Sequence, residues 1–290
     1  MNKIQAFIKK HGVRALFQMI DRKIGFGFLE RMIFTNWFNP FLTIYLNFRS
    51  FPFSQAWKLP IFVYGRPRLL GLCGTIRVEG KVSMGMISFN ALKPGAPSNM
   101  GVQSEICNYG EIIFHGKGHI GTGNRIVVGV NGVLDIGQNF KITDMCNIGC
   151  FKKIFIDEQS RIVHRCQVFD SNYHYVANFT KMVVPPYIKS VTIGKGCWIC
   201  NSSTIMGGVV LPDFTIVGSN SLVNKDFSDL PKGSMIGGIP AKYIASGFRK
   251  VENFEMIKNI NEFYRNNPLS VYKLDDTETP EYTSKVTKFI

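Results

Sequence analysis

Residues 193–223, IGKGCWICNSSTIMGGVVLPDFTIVGSNSLV, carry an aliphatic residue at every sixth position. A small or β-branched residue follows four places after each of the first five of these anchors. The anchors are Ile193, Ile199, Ile205, Leu211, Val217 and Val223, and the small residues are Cys197, Ser203, Val209, Thr215 and Ser221. A helix places apolar residues at spacings of three and four, and a half-buried strand at two. A period of six fits neither template, so the stretch is a short internal repeat.

The period of six predicts a coil with three flat sides. Each side would be a short parallel strand, and each anchor would point into a narrow prism. Successive coils would lie about 4.8 Å apart, the usual spacing of paired strands. The small residues would lie near the corners, where a bulky side chain would clash. Glycine directly after an anchor, as at Gly194 and Gly218, would suit a corner that needs positive φ.

The same register occurs upstream, with one change of phase. The upstream anchors are Ile76 and Val82, Ile120 and Ile126, then Ile136, Ile142, Ile148 and Ile154, and after two added residues Ile156, Ile162 and Val168. Cys146 and Cys166 occupy the small position of their repeats, whereas Phe140 and Lys152 depart from it. We therefore expect the middle coils to be less regular than the later ones.

The pattern divides the chain into three regions. Residues 1–68 form a basic, partly helical segment, residues 69–245 the repeat domain, and residues 246–290 a helix and a polar tail. After Val168 the repeat is interrupted by an inserted loop near residues 175–190. A loop held on a rigid scaffold is a common place for functional residues.

The net charge of +14 is concentrated at the start of the chain. Residues 1–70 contain eleven Lys and Arg against Asp21 and Glu30. Residues 1–35 read as one or two amphipathic helices, and a basic amphipathic helix can lie in an anionic membrane interface. Packing on the prism is the alternative. The sequence has no apolar run long enough to span a bilayer and no signal-peptide pattern, so we expect a cytoplasmic protein, either free or peripheral to the inner face of the membrane.

The chain resembles a known family over roughly residues 70–245. The hexads, Cys197-Trp198-Ile199, the Val217–Ser221 segment and the Gly238–Ile244 segment are similar to those of hexapeptide-repeat acyltransferases, in the branch of xenobiotic, sugar and surface-polysaccharide O-acetyltransferases. The resemblance implies an all-β core, a left-handed parallel β-helix, with an N-terminal helical segment and a C-terminal helix. The left hand comes from the family alone, because the general rule for parallel crossovers gives the right hand.

The resemblance also implies an active site around the inserted loop. His174 corresponds to the family's general base, and the backbone N–H of Asn201 to its oxyanion donor. Trp198 would wall the pocket. Asp170 would either orient His174 or bind substrate hydroxyl groups, and Asn172 would contact the acceptor sugar.

Acetyl-CoA is the implied acyl donor. In the family it binds between neighbouring subunits of a homotrimer, along the later coils. Two positions depart from the family, since Cys200 and Asn220 stand where glycine is usual. Point positive charge suits the CoA phosphates, which Lys225 and Lys242 would meet. The full set of implied CoA-binding residues is Gly218, Ser219, Asn224, Lys225 and Lys242.

These patterns predict an O-acetyltransferase that acts on a sugar hydroxyl of a polysaccharide or its precursor. N-acetylation of a nucleotide-linked amino sugar and a non-catalytic β-helix scaffold are the alternatives. No metal site is expected, because Cys197 and Cys200 lack a second pair at zinc-site spacing, and His115 and His119 lack the spacing of the γ-class carbonic anhydrases. Nucleic-acid binding would rest on charge alone and is not expected.

Overall fold

The computed structural model describes residues 37–92 and 102–287, together with the single positions 12 and 19. Two helices precede the strands of this part of the chain and two follow them. The helices are α1 (Pro40–Ser50), α2 (Phe53–Ala56), α3 (Phe254–Asn266) and α4 (Pro280–Ser284). The strands are β1 (Ile61–Val63), β2 (Arg68–Leu70), β3 (Thr75–Val78), β4 (Ile87–Phe89), β5 (Glu105–Asn108), β6 (Glu111–Phe114), β7 (Gly118–Ile120), β8 (Arg125–Val128), β9 (Val133–Ile136), β10 (Phe140–Ile142), β11 (Asn147–Cys150), β12 (Lys153–Ile156), β13 (Arg161–Ile162), β14 (Gln167–Phe169), β15 (Val191–Ile193), β16 (Trp198–Ile199), β17 (Thr204–Ile205), β18 (Val210–Leu211), β19 (Ile216–Val217), β20 (Leu222–Val223), β21 (Met235–Gly237) and β22 (Lys242–Ala245).

From β1 to β20, each strand pairs in parallel with the third strand after it, so the chain visits three sheets in turn. Sheet 1 has the order β1-β4-β7-β10-β13-β16-β19-β21-β22, sheet 2 the order β2-β5-β8-β11-β14-β17-β20, and sheet 3 the order β3-β6-β9-β12-β15-β18. Among the strands described above, the terminal β21–β22 pair alone is antiparallel. This topology confirms the predicted fold class, an all-β core built as a parallel β-helix.

The anchors form apolar ladders inside the prism. In sheet 1 the ladder is Phe89, Ile120, Ile142, Ile162, Ile199 and Val217, each in register with the next. In sheet 2 it is Ile106, Ile126, Ile148, Val168, Ile205 and Val223. In sheet 3 it is Phe114, Ile136, Ile156, Ile193 and Leu211. All of these side chains are buried, and burying one such side chain contributes about 1.5–3 kcal/mol.

The change of phase between Ile154 and Ile156 falls within one strand, β12. Residues two apart on a strand point to the same face, so both isoleucines can face the core. Ile154 pairs with Val191 and Ile156 with Ile193, and both are buried. The added pair belongs to a longer side of the coil: β3, β6, β9 and β12 have four residues in sheet 3, and β18 has two.

The prism begins earlier than residue 69. Strand β1 pairs with β4 in sheet 1, although the prolines around it suggest a turn-rich connection. Pro60 directly precedes β1, where a missing N–H costs no ladder bond.

Ile76 is a buried residue of β3, as expected for an anchor. Val82 lies outside the strands and is only partly buried, so it is not one.

Positive φ occurs at the corners, but not directly after the anchors. In the later coils it recurs three places after each anchor, and neither Gly194 nor Gly218 has it. The residues concerned are Gly196, Ser202, Gly208, Phe214 and Asn220. Asn220 fits this position because asparagine tolerates the left-handed region better than most residues. Gly194 is required for a different reason: a Cβ there would lie 2.8 Å from the backbone N of Asp213.

Phe140 occupies a small position without leaving the core. Its ring is fully buried and stacks on Phe114, with the ring centroids 5.6 Å apart. Room for the ring comes from Gly118 in the neighbouring strand, where a Cβ would lie only 1.8 Å from the Phe140 ring. A large residue in the small position is therefore compensated by a glycine in the preceding coil.

The C-terminal helix lies inside the region 246–290 in which it was predicted. Helix α3 begins after Asn253, whose side chain accepts hydrogen bonds from the N–H groups of Glu255 and Met256 and caps it. The preceding residues 246–253 have no regular secondary structure. The predicted helices in residues 1–35 lie outside the described residues. None of the helices in the described part of the chain has the length and apolarity that crossing a bilayer requires.

We predict that Gly194→Ala destabilises the fold, because its Cβ would meet the backbone of the neighbouring coil. The free energy of unfolding should fall by about 1–3 kcal/mol. Gly218→Ala is the matched control: its Cβ would have no neighbour closer than 3.6 Å, so the change should stay within about 0.5 kcal/mol. Urea denaturation of both variants measures the free energy of unfolding. Equal losses of stability in the two variants would contradict the close approach of Gly194 to the neighbouring coil.

Candidate active site

The inserted loop, residues 170–190, leaves the prism between β14 in sheet 2 and β15 in sheet 3. Backbone hydrogen bonds close its base. The Asn172 N–H donates to the Tyr187 carbonyl at 2.9 Å, and the Lys189 N–H to the Asp170 carbonyl at 2.7 Å. A second pair of bonds, between Asn178 and Val183, narrows the tip. The loop therefore extends from one edge of the prism, and hydrogen bonds hold its two arms together.

Tyr173 fixes the position from which His174 projects. Its φ is 63°, and its N–H donates to the Ser171 hydroxyl at 3.0 Å. Its ring packs edge-on against Phe151 and Phe169, with centroids 5.1 Å and 6.1 Å away. His174 follows directly and is exposed, and within the described residues its imidazole has no hydrogen-bond or ion-pair partner. The imidazole is therefore accessible to a substrate.

Asp170 has a different environment from the one predicted. Its carboxylate is fully buried and accepts hydrogen bonds from the N–H groups of Phe151 at 2.8 Å and Lys152 at 2.7 Å. Neither His174 nor solvent reaches it. The carboxylate thus holds the β11–β12 turn against the base of the loop, and orienting His174 or binding a sugar hydroxyl does not fit this geometry.

Trp198 lies on the outer face of sheet 1, since its neighbour Ile199 points inward. Residues 248–252 pass over this face. The Lys250 ammonium is 5.7 Å from the centre of the Trp198 ring. Glu252 pairs with Lys250 and, at 3.2 Å, with Arg161. The indole is therefore a partly covered surface residue rather than part of the core.

Arg161 anchors this C-terminal segment from beneath. Its guanidinium is buried and donates to the carbonyls of Asn139, at 2.6 Å, and Gln159, at 3.0 Å. Burial lowers the pKa of Arg161. For Glu252, burial raises the pKa, but Arg161 and Lys250 outweigh it, and the net shift is downward. The pair is charged, and removing either partner would leave a buried charge unpaired.

Asn201 lies where the chain passes from sheet 1 to sheet 2. Its side-chain oxygen accepts a hydrogen bond from the Ser219 hydroxyl at 2.7 Å, and its carbonyl accepts from the Asn220 N–H at 3.0 Å. In the part of the chain that the structure describes, the Asn201 N–H donates no hydrogen bond. A backbone donor of this kind is what an oxyanion needs.

The predicted CoA-binding residues differ in what they can offer. The Gly218 N–H donates to the Ile236 carbonyl at 2.8 Å, and its carbonyl accepts from the hydroxyls of Ser203 and Ser221. Both backbone groups are thus already engaged within the prism, so Gly218 has none left for the pantetheine arm. Asn224, Lys225 and Lys242 are exposed.

The predicted residues fall into two groups on one chain. His174, Asn172, Asn224 and Lys225 lie along edge 2/3, where the chain passes from sheet 2 to sheet 3. Trp198, Asn201, Gly218, Ser219 and Lys242 lie on sheet 1 or at edge 1/2, where the chain passes from sheet 1 to sheet 2. A single chain therefore does not bring the general base and the oxyanion donor to the same edge.

Edge 2/3 also contains a glycine pair that the sequence analysis missed. Gly207 and Gly208 lie between the loop that bears His174 and the Asn224-Lys225 turn. A Cβ on Gly207 would lie 2.9 Å from the Asp170 carbonyl oxygen, and Gly208 has a φ of 92°. The Lys189 side chain lies beside this corner, with its Cδ 3.2 Å from the position that a Gly208 Cβ would take. In the sequence, the two adjacent glycines at one corner of the repeat are the feature that could have indicated this site.

The buried cysteines are neutral core residues, as the small positions predict. Burial raises the pKa of Cys166 to about 11 and that of Cys197 to about 12. Their thiols donate to the carbonyls of Cys200 at 3.1 Å and Pro212 at 3.3 Å. Among the described residues, no three His, Cys, Asp or Glu side chains are grouped as metal ligands would be.

We predict that Asp170→Ala acts mainly on stability. Two buried N–H groups would lose a charged acceptor, which should lower the free energy of unfolding by about 3 kcal/mol. Asp226→Ala is the control, because this exposed carboxylate accepts only from the Ser228 N–H of its own turn. Urea denaturation gives the comparison. Unchanged stability together with a loss of substrate affinity would instead favour the predicted contact with substrate.

Comparison with known proteins was made by sequence and by fold. No family model matches the sequence. WbbJ of Escherichia coli strain K12, which bears the provisional name of a lipopolysaccharide biosynthesis O-acetyltransferase, is 25% identical over 182 residues, or 60% of this chain and 89% of WbbJ. The solved polysialic acid O-acetyltransferase OatWY is 20% identical, with a TM-score of 0.41, over 69% of this chain and 100% of OatWY.

A further solved structure is a hexapeptide-repeat acetyltransferase of Vibrio cholerae, VCA0836, in complex with acetyl-CoA. It is 21% identical, with a TM-score of 0.39, over 47% of this chain and 70% of VCA0836. The chain is thus similar in sequence to WbbJ, and it combines this similarity with a six-residue repeat and a three-sheet parallel β-helix.

Proposed function

We propose that the protein transfers an acetyl group from acetyl-CoA to a hydroxyl group of a sugar, in a surface polysaccharide or its precursor. The arrangement of edge 2/3 carries the proposal. An exposed imidazole, a pair of glycines and an exposed lysine follow one another there along three successive coils. This order suits an acetyl-CoA that binds along the edge with its thioester beside His174. The name of the relative WbbJ supports the acceptor class.

His174 acts as the general base. One imidazole nitrogen takes the proton of the sugar hydroxyl as its oxygen attacks the thioester carbonyl carbon. The tetrahedral intermediate then collapses, the C–S bond breaks, and the leaving thiolate takes a proton from the imidazolium. Histidine suits both steps because its usual pKa lies near neutrality. The free N–H of Asn201 is the donor that we assign to the oxyanion.

The division of the residues into two groups supports an assembly in which the site is shared. His174 of one subunit would face Trp198 and Asn201 of the partner subunit across the interface. A cyclic trimer completes three such sites, since closed cyclic symmetry uses the same contact at each interface. In this arrangement Lys225 and the partner subunit's Lys242 can approach the same CoA.

The proposed acceptor can be tested against the N-acetylation alternative. Purified protein is incubated with acetyl-CoA and either neutral sugars or a nucleotide-linked amino sugar, and the products are identified by mass. We expect the mass of one acetyl group on a sugar that has no free amine. Acetylation of the amino sugar alone would replace the proposal, and no transfer to either class would favour a scaffold.

We predict that His174→Asn folds and binds CoA but loses activity. Asparagine retains hydrogen bonding and cannot accept the proton, so kcat should fall by about 10²- to 10⁴-fold. His115→Asn is the matched control, because His115 bonds to Asp135 at 2.8 Å on the outer face of sheet 3, away from edge 2/3. Near-normal kcat in a His174→Asn protein that still binds CoA would show that the base is another group.

We predict that two inactive variants complement each other in mixed assemblies. His174→Asn and Trp198→Ala protomers are unfolded together and refolded as an equimolar mixture. In a trimer with shared sites, about a quarter of all sites receive an intact His174 and an intact Trp198 from different subunits. Kinetics on the mixture should show about that fraction of wild-type activity. No recovery above the separate variants would mean that both residues serve a site within one subunit.

A further inference from the structure

Helix α1 is held to the prism by its polar residues. The Asn47 side chain accepts from the Ile61 N–H at 3.1 Å and donates to the Ile61 carbonyl at 2.7 Å. The Thr43 hydroxyl accepts from the Val63 N–H at 3.0 Å. Thr43 and Asn47 are buried. Side chains of α1 thus form hydrogen bonds with the backbone groups at the outer edge of β1, which would otherwise have no partner strand.

Leu46 of α1 is buried in the core of the prism, and Leu42 packs against that core. Four other apolar residues of α1, at helical spacings of three and four, point away from the prism, and α2 with the residue after it adds two more. We call this set the aromatic face: Phe41, Ile44, Tyr45, Phe48, Phe53 and Trp57. All six are exposed, and Phe41 and Phe53 retain 78% and 74% of their accessible area. The rings of Phe48 and Phe53 lie 6.2 Å apart, so the two helices form one surface.

The charges around the aromatic face have one sign. The sequence has no Asp or Glu between Glu30 and Glu79. Arg49 lies in the last turn of α1, and the Lys58 ammonium lies 5.7 Å from the centre of the Trp57 ring. The basic residues 1–36 join the chain directly before the aromatic face. Exposed aromatic rings bordered by cations, without anions, match the interface of an anionic bilayer.

The same charges oppose self-association through the aromatic face. A symmetric contact would bring two basic segments together without a carboxylate from this region to offset them. An anionic lipid surface supplies the missing negative charge and also an apolar layer for the rings. Charge complementarity therefore favours a bilayer over a second copy of the chain.

We propose that the aromatic face docks on an anionic lipid bilayer and buries its rings at the level of the headgroups. The inference extends the membrane contact predicted for residues 1–35, which we also propose for this protein, and it moves the docking surface onto the folded domain. A docked enzyme would work beside the membrane, where an acceptor sugar carried on a lipid is within reach.

The first test measures binding of the full-length protein to vesicles of phosphatidylcholine with and without phosphatidylglycerol. We expect binding to the anionic vesicles alone, and we expect it to weaken as salt is added. In Phe41→Ser/Phe53→Ser, partitioning should fall at least about tenfold, since two exposed rings lose their place in the interface. Val130→Ser is the control, because Val130 is exposed on the prism, and it should bind as the wild type does.

The second test reads the position of Trp57 by fluorescence quenching with brominated phosphatidylcholine in the anionic vesicles. Trp57→Phe keeps an aromatic ring and leaves Trp37 and Trp198 as the only tryptophans of the sequence, so the share of the quenching that comes from Trp57 should disappear in this variant while binding persists. Unchanged binding of Phe41→Ser/Phe53→Ser would overturn the docking face and leave the contact of residues 1–35 standing. Absence of vesicle binding by the wild type would overturn both. A smaller oligomeric mass in the double variant, without a change in vesicle binding, would identify the face as a subunit interface. Each of these outcomes is independent of acetyl transfer to a soluble sugar.

Discussion

The pairing of each strand with the third strand after it is the constraint on which the structure depends. It forces every side of a coil to match the side below in register and in length. The inward residues then stack as continuous ladders, of which Ile142, Ile162 and Ile199 are one part. Since one shifted residue would turn an anchor outward, the repeat tolerates a change of phase only where residues two apart both face the core, as in β12.

On this regular core, the three edges of the prism differ in the length of the connections between strands. Corners that follow the sequence repeat closely are short, and hydrogen bonds such as that from the Ser202 N–H to the His164 carbonyl join them to the neighbouring coils. Edge 2/3 departs from this pattern at the loop that bears His174. The buried carboxylate of Asp170 holds the base of that loop by binding the turn of the coil below. A rigid foundation thus supports the exposed side chain of His174.

The sequence was most informative where a residue's role follows from its position in the repeat. The anchors, the buried small positions and the neutral cysteines could all be predicted from spacing. The corner conformation could not be located from glycine alone, because Ser202, Phe214 and Asn220 adopt positive φ as well. The compensation of Phe140 by Gly118 was also hidden, since it joins residues from adjacent coils whose register only the fold reveals.

Charged side chains were harder to interpret from sequence. Asp170 stands beside an exposed polar run, and that neighbourhood suggests a substrate contact, yet the backbone turns the carboxylate inward. The pairing of Arg161 with Glu252 joins residues far apart in the chain and has no local signal. The same limit applies to α1, where the polar residues Thr43 and Asn47 lie against the prism beside the buried Leu46, because β1 needs hydrogen-bond partners at its outer edge.

The division of the site between edge 2/3 and sheet 1 is the central claim, and a structure of the assembled protein with CoA tests it most directly. We expect the CoA sulfur to lie between the imidazole of His174 and the backbone N–H of Asn201 of the partner subunit. A sulfur bound within one subunit, or remote from His174, would contradict a shared site.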